Sequence, residues 1–209
     1  MAHGDAALVP APSAIAQAAG RGLVALAPGL LLSFQRFQRP QSGLIDRAPS
    51  SLGFLPVGWA ATREWLLPLA DNECFWIGLG ESAATPPRWL AVAVEFGSGA
   101  ARDAVTGEVW QHSRAGMLPV PGTPLIAGIQ RPDGTLAVFA RTAVPFPASS
   151  CVRIRLYASP QPCLEARCDG DVSMLALRLA DYEVFATETG LAAPATLDPV
   201  AGYQGWRLP

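Results

Sequence analysis

The chain has 209 residues, half of them apolar and 15% charged, with a formal net charge of −2 and 15 arginines but no lysine. This balance describes a globular protein with a sizeable core and excludes a disordered or strongly basic, nucleic-acid-binding chain. The missing ammonium group excludes Schiff-base and pyridoxal-phosphate enzymes, Walker-type nucleotidases and protein kinases.

Twenty Gly and twenty Pro punctuate the chain into short pieces, which predicts an all-β fold, an antiparallel sandwich or barrel-like body with irregular N- and C-terminal extensions. Residues 1–22 are Ala- and Pro-rich and read as a flexible arm, 23–186 as a single β domain, and 187–209 as a C-terminal extension. The apolar run Leu23 to Leu32 is interrupted by Pro28 and Gly29 and is too short to span a bilayer. It also lacks the flanking pattern of a secretory signal, so a cytoplasmic location is expected.

In chain order, Leu30 to Gln38 alternates partly, with Arg36 among aromatics. Gln41 to Gly58, rich in Gly and Pro, reads as a long surface connection. Glu64 to Leu69 and Glu73 to Leu79 form an apolar pair around Ala70-Asp71-Asn72, a tight connection. In Arg88 to Phe96, Leu90, Val92, Val94 and Phe96 share one face while Trp89, Ala91 and Ala93 line the other; two apolar faces mark a central strand. Arg131-Pro132-Asp133-Gly134 has the residue order of a type I turn with a following bulge, so Ile126 to Gln130 is expected to pair with Thr135 to Ala140.

A three-stranded meander is expected from Val152 to Leu179. Val152, Ile154 and Leu156 should face inward with Arg153, Arg155 and Tyr157 outward. Matching faces sets Leu156 beside Leu164 and Arg155 beside Glu165, and an Asp169-Gly170 turn then sets Leu164 beside Leu175. After Tyr182 the chain turns Ala/Thr/Pro-rich and ends in an aromatic cluster. Buried free thiols are the expectation for Cys74, Cys151, Cys163 and Cys168, since no Cys-x-x-Cys pair exists and no metal site is expected.

The segments Leu31-Leu32-Ser33-Phe34-Gln35-Arg36, Arg63-Glu64-Trp65-Leu66, Ala91 to Gly97 and Asp103 to Trp110 together resemble a bacterial family of hypothetical proteins from GC-rich genomes. The resemblance covers about Leu31 to Phe185, with Thr106-Gly107-Glu108-Val109-Trp110 its most specific part, and the chain departs from the family's pattern around Gln41 to Ser51. The family carries no assigned activity, so the resemblance implies no catalytic residue.

Histidine is restricted to His3 and His112, so interior imidazole chemistry runs through His112, for which Glu108 or Asp103 could act as carboxylate orienter. Paired carboxylates could be drawn from Glu73, Glu81, Glu95 and Glu108. Glu95 stands out because it interrupts an apolar strand face, either at a sheet end in water or in a cleft with a raised pKa. Glu95, Glu108 and His112 are therefore the catalytic candidates. Among the six tryptophans, Trp89 and Trp110, with Arg114, are candidate ligand-binding residues. Tyr203 and Trp206 are candidates for partner binding. With no nucleophile elbow and no cofactor fingerprint, the expected function is a non-catalytic binding or assembly module that engages protein partners or itself, without nucleic acid, membrane span or cofactor. The alternative is a small β-fold hydrolase or cyclase-like enzyme using Glu95, Glu108 and His112 in a Trp-lined pocket.

Overall fold

The computed structural model describes residues 22–81, 86–142, 150–164 and 172–197. Its strands are β1 (Leu23–Ala27), β2 (Leu30–Gln38), β3 (Leu44–Ile45), β4 (Gly58–Trp59), β5 (Trp65–Pro68), β6 (Glu73–Glu81), β7 (Arg88–Phe96) and β8 (Ala101–Asp103). Then follow β9 (Leu118–Val120), β10 (Leu125–Ile126), β11 (Gly128–Gln130), β12 (Leu136–Val138), β13 (Cys151–Ser159), β14 (Ser173–Ala180) and the helix α1 (Tyr182–Thr189).

The fold is all-β, as composition and turn spacing predict, and among the described residues no sheet closes into a barrel. The larger sheet runs β4-β5-β14-β13-β7-β8, with β9 also on β7; a second runs β1-β2-β6-β10, and a small one β11-β12-β3. An isolated bridge from Phe75 to Phe139 joins the second sheet to the third. Leu90, Val92, Val94, Ile154 and Leu156 of the larger sheet belong to one buried cluster with Leu30, Leu32, Phe34, Phe75 and Ile77 of the second. Period-2 alternation puts each set on one face, and burying the two faces together is the main stabilising term.

Alternation along β7 is as expected, and pairing with β13 on one side and β8 and β9 on the other makes it an interior strand. The Arg131–Gly134 turn is also present: Gly134 has φ +85°, its N–H bonds the Arg131 carbonyl, and Gly128, Ile129 and Gln130 oppose Val138, Ala137 and Leu136. The expected upstream end of that hairpin, however, departs to pair with β6 as β10.

Four expectations are corrected. The Ala70–Asn72 turn exists, with the Glu73 N–H on the Ala70 carbonyl, but it crosses between layers: β5 joins the larger sheet, parallel to β14, and β6 the second. β13 pairs directly with β14, so Leu156 faces Leu175 and Arg155 faces Ala176; Leu164 packs instead on the outer face with Ala91, Ala93 and Tyr157, and Glu165, Asp169 and Gly170 lie outside the described residues. A bulge between Cys151 and Arg153 turns Cys151 inward and leaves Val152 39% exposed, because one extra residue inverts the alternation on its far side. Lastly, Cys163 is disulfide-bonded, whereas Cys74 and Cys151 are free and buried.

The helix α1 was not expected, and it crosses the anticipated boundary at 186. Its signals are local: the Asp181 carboxylate accepts the Val184 N–H at 2.8 Å, and Gly190 closes the other end at φ +69°. Phe185 anchors it, buried among Ala60, Leu66 and Ala180. The surface connection expected from Gln41 to Gly58 is present for most of its length, but it carries the two-residue β3 and buries Leu55 and Val57.

Candidate functional site

The outer face of the larger sheet gathers most of the candidate residues, and Asp103 organises the loop that covers it. Asp103 is 2% exposed at the end of β8. One carboxylate oxygen accepts the Val105 and Thr106 N–H groups at 2.8 and 3.2 Å, and the other accepts the Gly116 N–H at 2.5 Å. These bonds close the loop at both ends. Within it, Gly107 sits at φ +75° so close to β11 that a Cβ would lie 2.1 Å from the Gln130 carbonyl oxygen, a site open only to glycine. The Trp110 N–H bonds the Ala101 carbonyl, and a 3-10 turn follows over His112–Arg114.

This path lays Trp110 on Tyr157, rings stacked at 5.5 Å and 14°, with the His112 ring edge-on to both at 6.4 and 5.5 Å. Beneath them Ala91 and Ala93 form a small-residue floor, and Met117, Met174 and Leu164 pack around it. The small side chains leave room for the aromatic pair to lie close to the sheet.

Beyond the aromatics, the same face carries a ladder of alternating charges. Arg155, whose charge acts on the Tyr157 hydroxyl, pairs with Glu95 at 2.6 Å; Glu95 also meets Arg153 at 3.4 Å. Arg153 reaches Glu64 at 2.8 Å, Glu64 reaches Arg178 at 3.0 Å, and Arg178 reaches Glu188 of α1 at 2.6 Å. Cross-strand register produces this directly, since Arg153 opposes Glu95 on β7 and Arg178 on β14. Two guanidinium groups flank Glu95 and two flank Glu64, so the oxygens of both carboxylates are engaged by arginines along the ladder. Burial pushes the Tyr157 hydroxyl up, with Arg155 opposing that shift.

The structure therefore brings Trp110, His112 and, through Tyr157 and Arg155, Glu95 onto one surface. Glu108 stands on the exposed turn; its N–H bonds Thr106 Oγ1, and its carboxylate makes no hydrogen bond or ion pair with a described residue. Asp103 is engaged by three backbone N–H groups rather than by His112. Arg114 is exposed on the 3-10 turn, and Trp89 lies half-buried opposite Ser159 and Pro119, outside the aromatic cluster. Tyr203 and Trp206 lie outside the described residues. Tyr157 was not among the candidates, although its outward position in the Arg153, Arg155, Tyr157 alternation was a readable signal.

A second polar cluster closes one end of the sandwich. Glu73, fully buried, pairs with Arg36 at 3.3 Å and accepts the Tyr182 hydroxyl at 2.6 Å and the Ala70 N–H at 3.3 Å. The inward faces of β2 and β6 supply Gln38, Arg36 and Glu73 just where the apolar run from Leu30 to Phe34 ends. Burial pushes the Tyr182 hydroxyl up, and its hydrogen bond to Glu73 adds to that shift. A carboxylate so held is a structural acceptor that fastens α1 to the second sheet.

Among the described residues no group of three His, Cys, Asp or Glu side chains could hold a metal ion, and no helix is long and apolar enough to cross a membrane. No family model, curated protein or solved structure matches the chain.

Proposed function

We propose that the chain is a non-catalytic binding or assembly module whose interaction surface is the Asp103-organised loop on the outer face of the larger sheet. The observation that carries this reading is the saturation of its buried and half-buried carboxylates: Glu95 lies between two arginines, Asp103 caps three N–H groups, and Glu73 is held by Arg36 and Tyr182. General acid–base work needs a carboxyl or imidazole poised against a partner group. His112 has aromatic rings for neighbours instead. What the loop offers to solvent is Val109, 63% exposed, with His112 and Arg114 beside it, a mix of apolar, aromatic and guanidinium contacts that suits protein recognition. The bonded state of Cys163 favours an oxidising compartment over the cytoplasm.

Light scattering over a concentration series tests the self-associating form of this reading. The expected result is a molar mass that rises with concentration for the natural chain, and that stays at one chain for Val109→Asp with unchanged far-ultraviolet circular dichroism. A single-chain mass for the natural protein at every concentration overturns self-association through this loop.

A further inference from the structure

At one nitrogen of the Arg36 guanidinium, acceptors outnumber protons, although Nε of the same group is buried without a partner among the described residues. Its Nη1 carries two N–H groups, yet three oxygens surround it: Glu73 Oε1 at 3.3 Å, the Tyr182 hydroxyl at 3.1 Å and the Ala195 carbonyl at 2.7 Å. Tyr182 gives its own proton to Glu73 Oε2, so its oxygen is an acceptor towards Arg36. Two of the three acceptors belong to the body of the fold. The third, with the shortest bond, belongs to the extended segment that follows α1.

Little else holds that segment. Residues 191–197 have no helix or strand structure; Leu191 is 42% exposed and its N–H bonds only back to Thr189, while Ala193 packs beside the Phe185 cluster. Among the described residues, the Arg36 bond to Ala195 is the one hydrogen bond tying 192–197 to the body. Gly190, at φ +69° with open space where a Cβ would stand, is a pivot at the segment's start.

Releasing the segment leaves no buried charge alone. Glu73 keeps Arg36, Tyr182 and the Ala70 N–H; Arg36 Nη1 keeps its two longer contacts in the body of the fold, and the proton that served Ala195 turns to water or to another carbonyl. The freed Ala195 carbonyl goes to water. Opening is therefore a local event, decoupled from the sandwich.

We propose that residues 191–197 are a displaceable strap latched by Arg36 at Ala195, and that the Nη1 group it vacates docks a main-chain carbonyl of an extended, uncharged peptide. A carbonyl suits this site better than a carboxylate, because buried Glu73 already neutralises the guanidinium. The strap, an Ala- and Pro-containing peptide, is the occupant in the closed chain. This latch acts within one chain, whether or not copies associate.

Proteolysis of the full chain by an elastase, which cuts after small residues, tests the latch. At urea concentrations that leave tryptophan fluorescence unchanged, cleavage within 191–197 should proceed at a urea-independent rate, and Arg36→Gln should raise that rate several-fold. Should Arg36→Gln fail to fold, Ala193→Glu, which leaves the Arg36–Glu73–Tyr182 cluster intact, must give the same acceleration. An end-blocked Leu-Ala-Ala-Pro-Ala-Thr-Leu peptide in excess should shift the ¹⁵N guanidinium signal of Arg36 in the full chain. Strap cleavage that climbs with urea in step with global unfolding, or a rate that neither folded variant alters, overturns the latch; an unmoved Arg36 signal overturns the docking site.

Discussion

Asp103 shows how much one side chain can organise. Its two oxygens satisfy three backbone N–H groups that would otherwise be left unpaired in a nearly closed environment. Asp103→Ala should therefore destabilise the chain by about 2–4 kcal/mol in urea unfolding, and by less in Asp103→Asn, which retains one acceptor. The same variant should weaken the Trp110–Tyr157 stack and shift Trp110 emission. Glu95→Gln should by contrast cost at most about 1 kcal/mol, because its partners are half-exposed and Arg153 keeps Glu64. In the sequence Asp103 was legible only as a distant orienter for His112. Its neighbours in space, above all the Gly116 N–H, are set by how the loop closes, which residue spacing does not reveal.

At the scale of elements, β13 shows where period-2 reasoning succeeds and where it breaks. Ile154 and Leu156 point inward and Arg153 and Arg155 outward, as alternation requires. Val152 does not follow, because it is the extra, unpaired residue of the bulge between Cys151 and Arg153. Val152→Ala should accordingly change stability by no more than about 0.5 kcal/mol, and Ile154→Ala, fully buried, should cost about 2–5 kcal/mol; equal costs in urea titrations would contradict the bulge. The helix α1 carried its caps in the sequence, Asp181 and Gly190, but eight residues with one buried side chain give a weak periodic signal. What stabilises it is tertiary: Phe185 fits against Gly58, where a Cβ would stand 2.9 Å from the ring.

For the molecule as a whole, packing of the sheets removes both free thiols from water, Cys151 in the main core and Cys74 on the opposite face of the second sheet with Phe37, Val138 and Ala140. Burial pushes both thiols well above their ordinary range; Arg39 partly opposes this at Cys74, and a backbone hydrogen bond does so at Cys151. The folded chain thus keeps two protons that the unfolded chain releases above about pH 8.5. Stability is then fully present below that pH and falls as pH rises, by up to about 1.4 kcal/mol per pH unit for each thiol. Urea unfolding at about pH 8 and about pH 10 should show this loss, and Cys151→Ala should reduce it. Neither thiol should react with an alkylating reagent until the chain unfolds.

What depends on neighbours along the chain could be read from the residues alone: the β class, the two apolar faces of β7, the outward arginines of β13 and the Arg131–Gly134 turn. Each follows from the steric alternation of adjacent residues or from a turn that only certain residues can make. Which strands meet was set by long-range packing. β5 and β6, joined by a short turn, part into different sheets, β14 lies between β13 and a parallel β5, and Arg36, Glu73 and Tyr182 converge from three distant segments. Pairing of that kind is chosen by the burial of whole faces against one another, a sum over residues far apart in sequence, and no local pattern encodes it.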